Sequence, residues 1–268
     1  MTDAPSPTSS PAGETPRAVS PNGTPRIAVI TCAVLEDEVR HLARSLPQVM
    51  HIHVLEQGLH NEPPKLRSTL QEAITLVETT TSAQAIALGY GLCSRGIEGV
   101  TATHCRLVAA RAHDCITLLL GDKDRYAAYV RDNPGTYWYS PGWNRCHVPP
   151  GPDRYHKLLQ EYTQKYGAED AGFLMETEQQ WFKTYNRATY VDLSVGVTDR
   201  DLAYTRACAD WLGWQYDRQH GDPGLMLALL SGAWDPERFL VLEPGTTFRM
   251  TANQNIIDAV SASLNQPV

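Results

Sequence analysis

The stretch Cys105–Asp122, "CRLVAARAHDCITLLLGD", decides how the chain is read. It begins with a short β-branched and apolar run, passes through a polar knot of Arg111, His113, Asp114 and Cys115, and continues into hydrocarbon. A run of that length reads as a buried strand, and the longer segment after Asp114 reads as a helix with an acidic N-cap. The polar knot therefore sits where a strand hands over to a helix. In a parallel sheet that place is the carboxyl edge, where ligands bind.

The same punctuation recurs upstream. "PRIAVITCAVL" reads as a buried first strand and "EDEVRHLARSL" as a helix with acids in its first turn. "VMHIHVLEQ" alternates as a second strand, "LRSTLQEAITLVETT" is an amphipathic helix, and "AQAIALGYGLC" is a third strand running into glycines. "CITLLLGDKDRYAAYVRDNPG" reads as one helix closed by Asn-Pro-Gly. The segment "GTYWYSPGWNRCHVPPGPDRY" reads as an ordered loop with one short strand, followed by helices near 155–166 and 168–185. Three later strands, "ATYVDLS", "WQYDRQH" and "FLVLEPG", alternate with the helices "DLAYTRACADWLG" and "PGLMLALLSG". Strand–helix alternation predicts one α/β domain over 26–250: a mostly parallel, Rossmann-like sheet with helices on both faces, open to division into two βαβ halves, 26–134 and 135–250. Residues 251–268 form a C-terminal segment, and no short-period repeat is evident.

Composition limits the function. The chain has 268 residues, 42% of them hydrophobic, with a net charge of −7. That is enough for a large core, and the charge disfavours nucleic acid and anionic membrane surfaces. No apolar run approaches the ~20 residues that span a bilayer. Residues 1–25 are rich in Pro, Ser, Thr and Gly, which predicts a disordered tail with no secretory signal. The expected location is the cytoplasm, where six cysteines stay reduced.

Three of those cysteines fall at strand ends: Cys32 after the first, Cys93 after the third and Cys115 after the fourth. Thiolate and imidazole are the natural ligands of zinc, and thiolates also hold iron–sulfur clusters. His113-x-Cys115 puts two ligands on one turn, and Cys32 and Cys93 would complete the set. Glycines 89, 91 and 96 permit close backbone approach around Cys93. Asp114 fits a ligand, a partner to His113 or a plain N-cap; Arg111 fits a substrate carboxylate or phosphate, or a salt bridge to Asp114 or Glu36. Two other readings remain open. The thiols can be merely buried, or Cys115 can be a nucleophile activated by His113. His51 and His53 read as a partly solvated strand face, and Trp143 as a pocket cover or a loop anchor. Asp222 and Pro223 read as a helix start, Cys208 as helix core, and Cys105 and Cys146 have no assignment. GxGxxG, GxxxxGK[ST] and GxSxG are all absent, which argues against those nucleotide sites and a serine hydrolase.

The motifs "ITCAVLEDEV", "LGYGLCSRG", "RAHDCITLLLG", "TYWYSPGW" and "GDPGLMLALLSGAWDPERFLVLEPG" together resemble domain-of-unknown-function family 1638 across about residues 26–245. The family pattern falls on Cys32, Tyr90, Gly91, Cys93, His113, Asp114 and Cys115. The resemblance implies a shared site, with Tyr90 and Gly91 on the cofactor side. Some members of the family are encoded beside corrinoid proteins and methyltransferases. The resemblance thus implies a zinc–thiolate centre acting on a small molecule and linked to methyl or one-carbon transfer, with a corrinoid or methyltransferase protein as partner. An iron–sulfur enzyme and a non-enzymatic metal or corrinoid carrier are the alternatives.

Overall fold

The computed structural model describes residues 23–196 and 199–262. The tail expected over 1–25 lies, up to residue 22, outside the described residues. Strands β1 (Ile27–Cys32), β2 (Val49–Leu55), β3 (Ala85–Gly89), β4 (Arg106–Ala110) and β8 (Phe239–Leu242) form one sheet in the order β2-β1-β3-β4-β8. The first four are parallel and β8 runs antiparallel against β4. A mixed α/β architecture with a mostly parallel central sheet is what the strand–helix alternation requires. The order departs from the Rossmann arrangement of 3-2-1-4. The chain goes from β1 outward to β2, then crosses back to β3 on the other side, so the order reverses between β1 and β3. That reversal opens a crevice beyond the carboxyl ends of these two strands.

Alternate residues of β1 enter different cores. Ala28, Ile30 and Cys32 pack with Leu66, Leu70 and Ile74 of α2 (Pro63–Thr80). Ile27 and Val29 pack on the other face, with Val39 of α1 (Glu36–Ala43), Leu118 of α3 (Cys115–Leu120) and Leu229 of α9 (Gly224–Ser231). A strand buried on both faces has no polar side, which is why it reads as a continuous apolar run.

The single helix expected after Cys115 is two. Gly121 takes a left-handed conformation (φ 82°) that closes α3, and Asp122 caps α4 (Lys123–Asp132) by accepting from Arg125 N at 2.7 Å. Beyond it, β5 (Thr136–Tyr139), β6 (Arg187–Asp192) and β7 (Gln215–His220) make a separate parallel sheet, β5-β6-β7. The segment expected as a loop after β5 contains α5 (Pro141–Cys146). It is followed by α6 (Pro152–Tyr166) and α7 (Ala168–Glu178). Helix α8 (Asp199–Leu212) contributes buried Cys208 to a core with Tyr139, Tyr190 and Trp214, as expected for a helix-core thiol. The C-terminal segment forms a hairpin of β9 (Thr246–Met250) and β10 (Ile257–Ser261). Among the described residues no helix is long and apolar enough to cross a membrane.

Candidate functional site

Two loops leave the carboxyl edge side by side, after β3 and after β4. Leu92 N donates to Ala112 O at 2.8 Å and Cys93 N to His113 O at 3.0 Å, so the loops are stitched along their backbones. Gly91 makes the contact possible: a Cβ there would lie 2.6–2.8 Å from the N, Cα and C atoms of Asp114. Immediately afterwards Cys93, Ser94 and Arg95 all adopt positive φ, at 45°, 56° and 70°. Three successive left-handed non-glycine residues cost roughly 1–2 kcal/mol each. The turn is held by Gly96 N donating to Cys93 O (2.9 Å) and by an Arg95–Glu98 ion pair (2.6 Å). Strain of this kind persists only where surrounding contacts enforce it, and it concentrates at functional sites.

The stitched loops bring Cys93 and Cys115 together, and Cys32 arrives from the end of β1. Cys93 and Cys115 both feel Cys32. Burial, then Asp114, then Cys32 push Cys93 up to about 12. Burial, Asp114 and both other thiols hold Cys115 well above the usual thiol range. Cys32 is also raised, mainly by burial. Tyr90 stands among the three sulfurs: burial first, then Cys32, Cys93 and Cys115 raise its phenol. Its buried hydroxyl lies against Cys32 but makes no hydrogen bond of regular geometry among the described residues. All three thiols therefore carry their protons at neutral pH. As the side chains stand, no group of three or more His, Cys, Asp or Glu among the described residues is arranged to hold a metal ion.

The neighbouring polar residues have definite positions. Asp114 is the N-cap of α3: Oδ1 accepts from Ile116 N (3.0 Å) and Thr117 N (3.4 Å), while Oδ2 accepts from the Tyr126 hydroxyl (2.7 Å). His113 is exposed beside Cys93 and Cys115. Arg111 is buried away from the thiols. Its guanidinium donates to Pro236 O (2.9 Å), Asn255 O (3.0 Å) and Ile257 O, and its ion pair is with Asp258 at 3.7 Å, not with Asp114 or Glu36. It ties the end of β4 to the C-terminal hairpin. Of the remaining cysteines, Cys105 is buried and donates to Ala83 O (3.2 Å), and Cys146 is exposed. His51 and His53 are half-buried on β2 at the edge of the sheet, rings 6.2 Å apart.

A cavity of about 770 Å³ opens over Cys93 and Cys115, between them and the second sheet. Cys93, His113 and Cys115 form one end of it. Its apolar walls come from the second half of the chain, including Tyr137 and Trp138 of β5 and Trp143 of α5. Helix α5 is seated directly on the turn after β1, since a Cβ on Gly142 would lie 1.8 Å from Val34 O. Trp143 is thereby placed between His60 (ring centroids 6.2 Å) and His147 (4.5 Å). Burial lowers the pKa of both histidines. Of these residues the sequence pattern singled out only Trp143, the thiols and His113. His60 was detectable in principle, because it lies in the loop leaving the carboxyl end of β2.

The family description "Protein of unknown function (DUF1638)" matches residues 54–230, well over half of the chain. The chain belongs to DUF1638. The matched part of this DUF1638 chain contains Cys93, His113, Asp114, Cys115 and the aromatic cavity wall, and it begins after Cys32. No curated protein and no solved structure matches the chain.

Proposed function

We propose that this DUF1638 protein is an enzyme acting on a small molecule in the cavity, with zinc held at the thiol cluster by Cys32, Cys93 and Cys115. His113 serves as fourth ligand or as general base. The reading is supported by the electrostatic influence of all three thiols on Tyr90 at the β1/β3 crevice, beside a small-molecule-sized cavity lined by Cys93, His113 and Cys115.

The donor chemistry fits a thiophilic cation. The electrostatic neighbours of Cys93 and Cys115 are each other, Cys32 and Asp114, with no cationic side chain among them. Left alone, such thiols are poor nucleophiles, which argues against Cys115 attacking unaided. A divalent cation reverses this logic, because it favours the thiolates and releases their protons. The side chains must rotate to close on an ion, since they are not prearranged as a complete shell. Bound there, zinc would supply Lewis acidity or an activated thiolate or water facing the cavity. Asp114 fixes the start of α3 and hence the position of Cys115. His113, exposed on the cavity rim, is free to accept a proton from substrate. Transfer of a methyl or one-carbon group, a corrinoid or methyltransferase partner and a cytoplasmic location are narrower readings; the first two rest on the family resemblance.

Cobalt substitution tests the centre. Titrating Co(II) into reduced, metal-free protein is expected to give an intense near-ultraviolet sulfur-to-cobalt band, lost on adding zinc and weakened in Cys32→Ser and Cys93→Ser. A spectrum showing only oxygen and nitrogen ligation would overturn the assignment. A brown protein on anaerobic purification would move it to an iron–sulfur cluster.

A further inference from the structure

We infer that the molecule taken by the cavity is an organic anion with a flat, preferably aromatic, body, its carboxylate or phosphate lying against Arg154 and His147 and its reacting part towards Cys93 and Cys115. The inference rests on the reading of this cavity as a small-molecule site and adds the substrate class.

The cavity has two chemically different ends. At one end stand Cys93, Cys115 and Asp114. At the other stand His147, just past α5, and Arg154 on α6. After burial, the influences on His147 are Arg154, His60 and Lys157, three cationic or protonatable groups. Arg154 also acts electrostatically on Tyr137 in the wall. Among the described residues, Arg154 is thus the one arginine or lysine of the lining, with the imidazoles of His147 and His60 near it and no acid beside it in the lining. The one acid in the lining, Asp114, has both oxygens engaged by the start of α3 and by Tyr126. His60 stands between the two ends, within electrostatic range of Asp114 and of His147.

Arg154 is not spent on structure alone. One terminal nitrogen pairs with Glu178 on α7, which does not line the cavity. Its Nε is buried and has no hydrogen-bond partner among the described residues. The Nε is out of solvent reach, so a ligand in the cavity meets the guanidinium at its terminal nitrogens, which suit a carboxylate or phosphate oxygen. Between the two ends the walls are rings: Tyr137 lies 5.4 Å from Tyr185 and 6.1 Å from Trp181 between centroids, with Trp138 and Trp143 nearby. Flat apolar surface is what such walls bury well. Charge separation along the cavity then orients the ligand, anionic group outward from the thiols.

The test uses the full chain and three probes of one shape: benzoate, phenylphosphate and neutral benzamide. Binding is read by tryptophan fluorescence and saturation-transfer NMR. At least one anion is expected to bind tenfold or more tighter than benzamide, and the tighter of the two identifies the anionic group. Arg154→Gln is expected to weaken the anion about tenfold, the loss of a charged hydrogen bond, and to change benzamide less than twofold. Glu178→Gln separates binding from folding: it frees Arg154, so anion affinity should hold or rise, whereas a purely structural ion pair would make both variants lose all probes alike. Equal binding of benzamide and the anions, or an Arg154→Gln protein with unchanged anion affinity, overturns the inference and leaves the cavity reading standing. Binding of no probe overturns both.

Discussion

Replacing Gly91 by alanine tests how tightly the two site loops are joined. The added methyl would sit 2.6 Å from Asp114 N and 2.7 Å from its Cα, inside any real carbon contact, and both sides of the clash are backbone. The loops must separate by nearly an ångström. Overpacking of this kind costs about 1–3 kcal/mol. Separation also weakens Leu92 N to Ala112 O and Cys93 N to His113 O, each contributing about 0.5–1.5 kcal/mol. The sum is about 3 kcal/mol, which for a chain of this size lowers Tm by roughly 6–12 °C. Differential scanning calorimetry of reduced protein, wild type beside Gly91→Ala, reads it directly. A Tm change under 2 °C would show that the loops are not held in register by this contact, and the argument that it brings Cys93 to Cys115 would fail.

Other expectations concern ionisation. Glu38 is fully buried on α1, and neither carboxylate oxygen has a hydrogen-bond partner among the described residues. Burial pushes it up to about 7 from an ordinary value of 4.5. A raised carboxyl makes the folded state hold its proton longer than the unfolded chain, so stability falls as pH rises between those values and the loss is complete above pH 7. Glu38→Gln is expected to flatten that dependence and to be more stable than wild type at pH 8 by roughly 3 kcal/mol, measured by urea denaturation. A wild-type-like pH profile in the variant would contradict this. The thiol assignments predict selective alkylation of metal-free native protein. Iodoacetamide at pH 8 should modify exposed Cys146 first, while Cys93 and Cys115 resist because burial and their neighbours keep them protonated. Peptide mapping that finds Cys93 or Cys115 labelled before Cys146 would refute it.

The parts of the fold legible in sequence were those with local signatures. Strands β1, β3 and β4 announce themselves because burial on both faces leaves nearly continuous apolar runs. The break between α3 and α4 was also written locally, as Gly121 followed by Asp122, a C-cap glycine beside an N-cap acid, but the helical periodicity on either side masks it. Strand partners are a different matter. That Phe239–Leu242 returns antiparallel to β4 depends on contacts more than a hundred residues apart, and no property of "FLVLEPG" states its direction.

The site divides the same way. Cys32, Cys93 and Cys115 can be found because each sits where an apolar strand ends. His147 and Arg154 cannot, because they reach the cavity only when α5 docks on Val34 and brings the second half of the chain over the first. Arg111 is the opposite case. A cation in a polar knot reads equally as a ligand-binding group or as a salt-bridge partner of Asp114 or Glu36, whereas its hydrogen bonds go to carbonyls of Pro236, Asn255 and Ile257, which the local sequence does not reveal.

Metal content of the purified protein tests the central claim most directly. Elemental analysis of wild type and Cys93→Ser, prepared alike under reducing conditions, is expected to find one zinc per wild-type chain and far less in the variant. Wild-type protein with no stoichiometric metal, or a variant that retains it in full, would contradict the account.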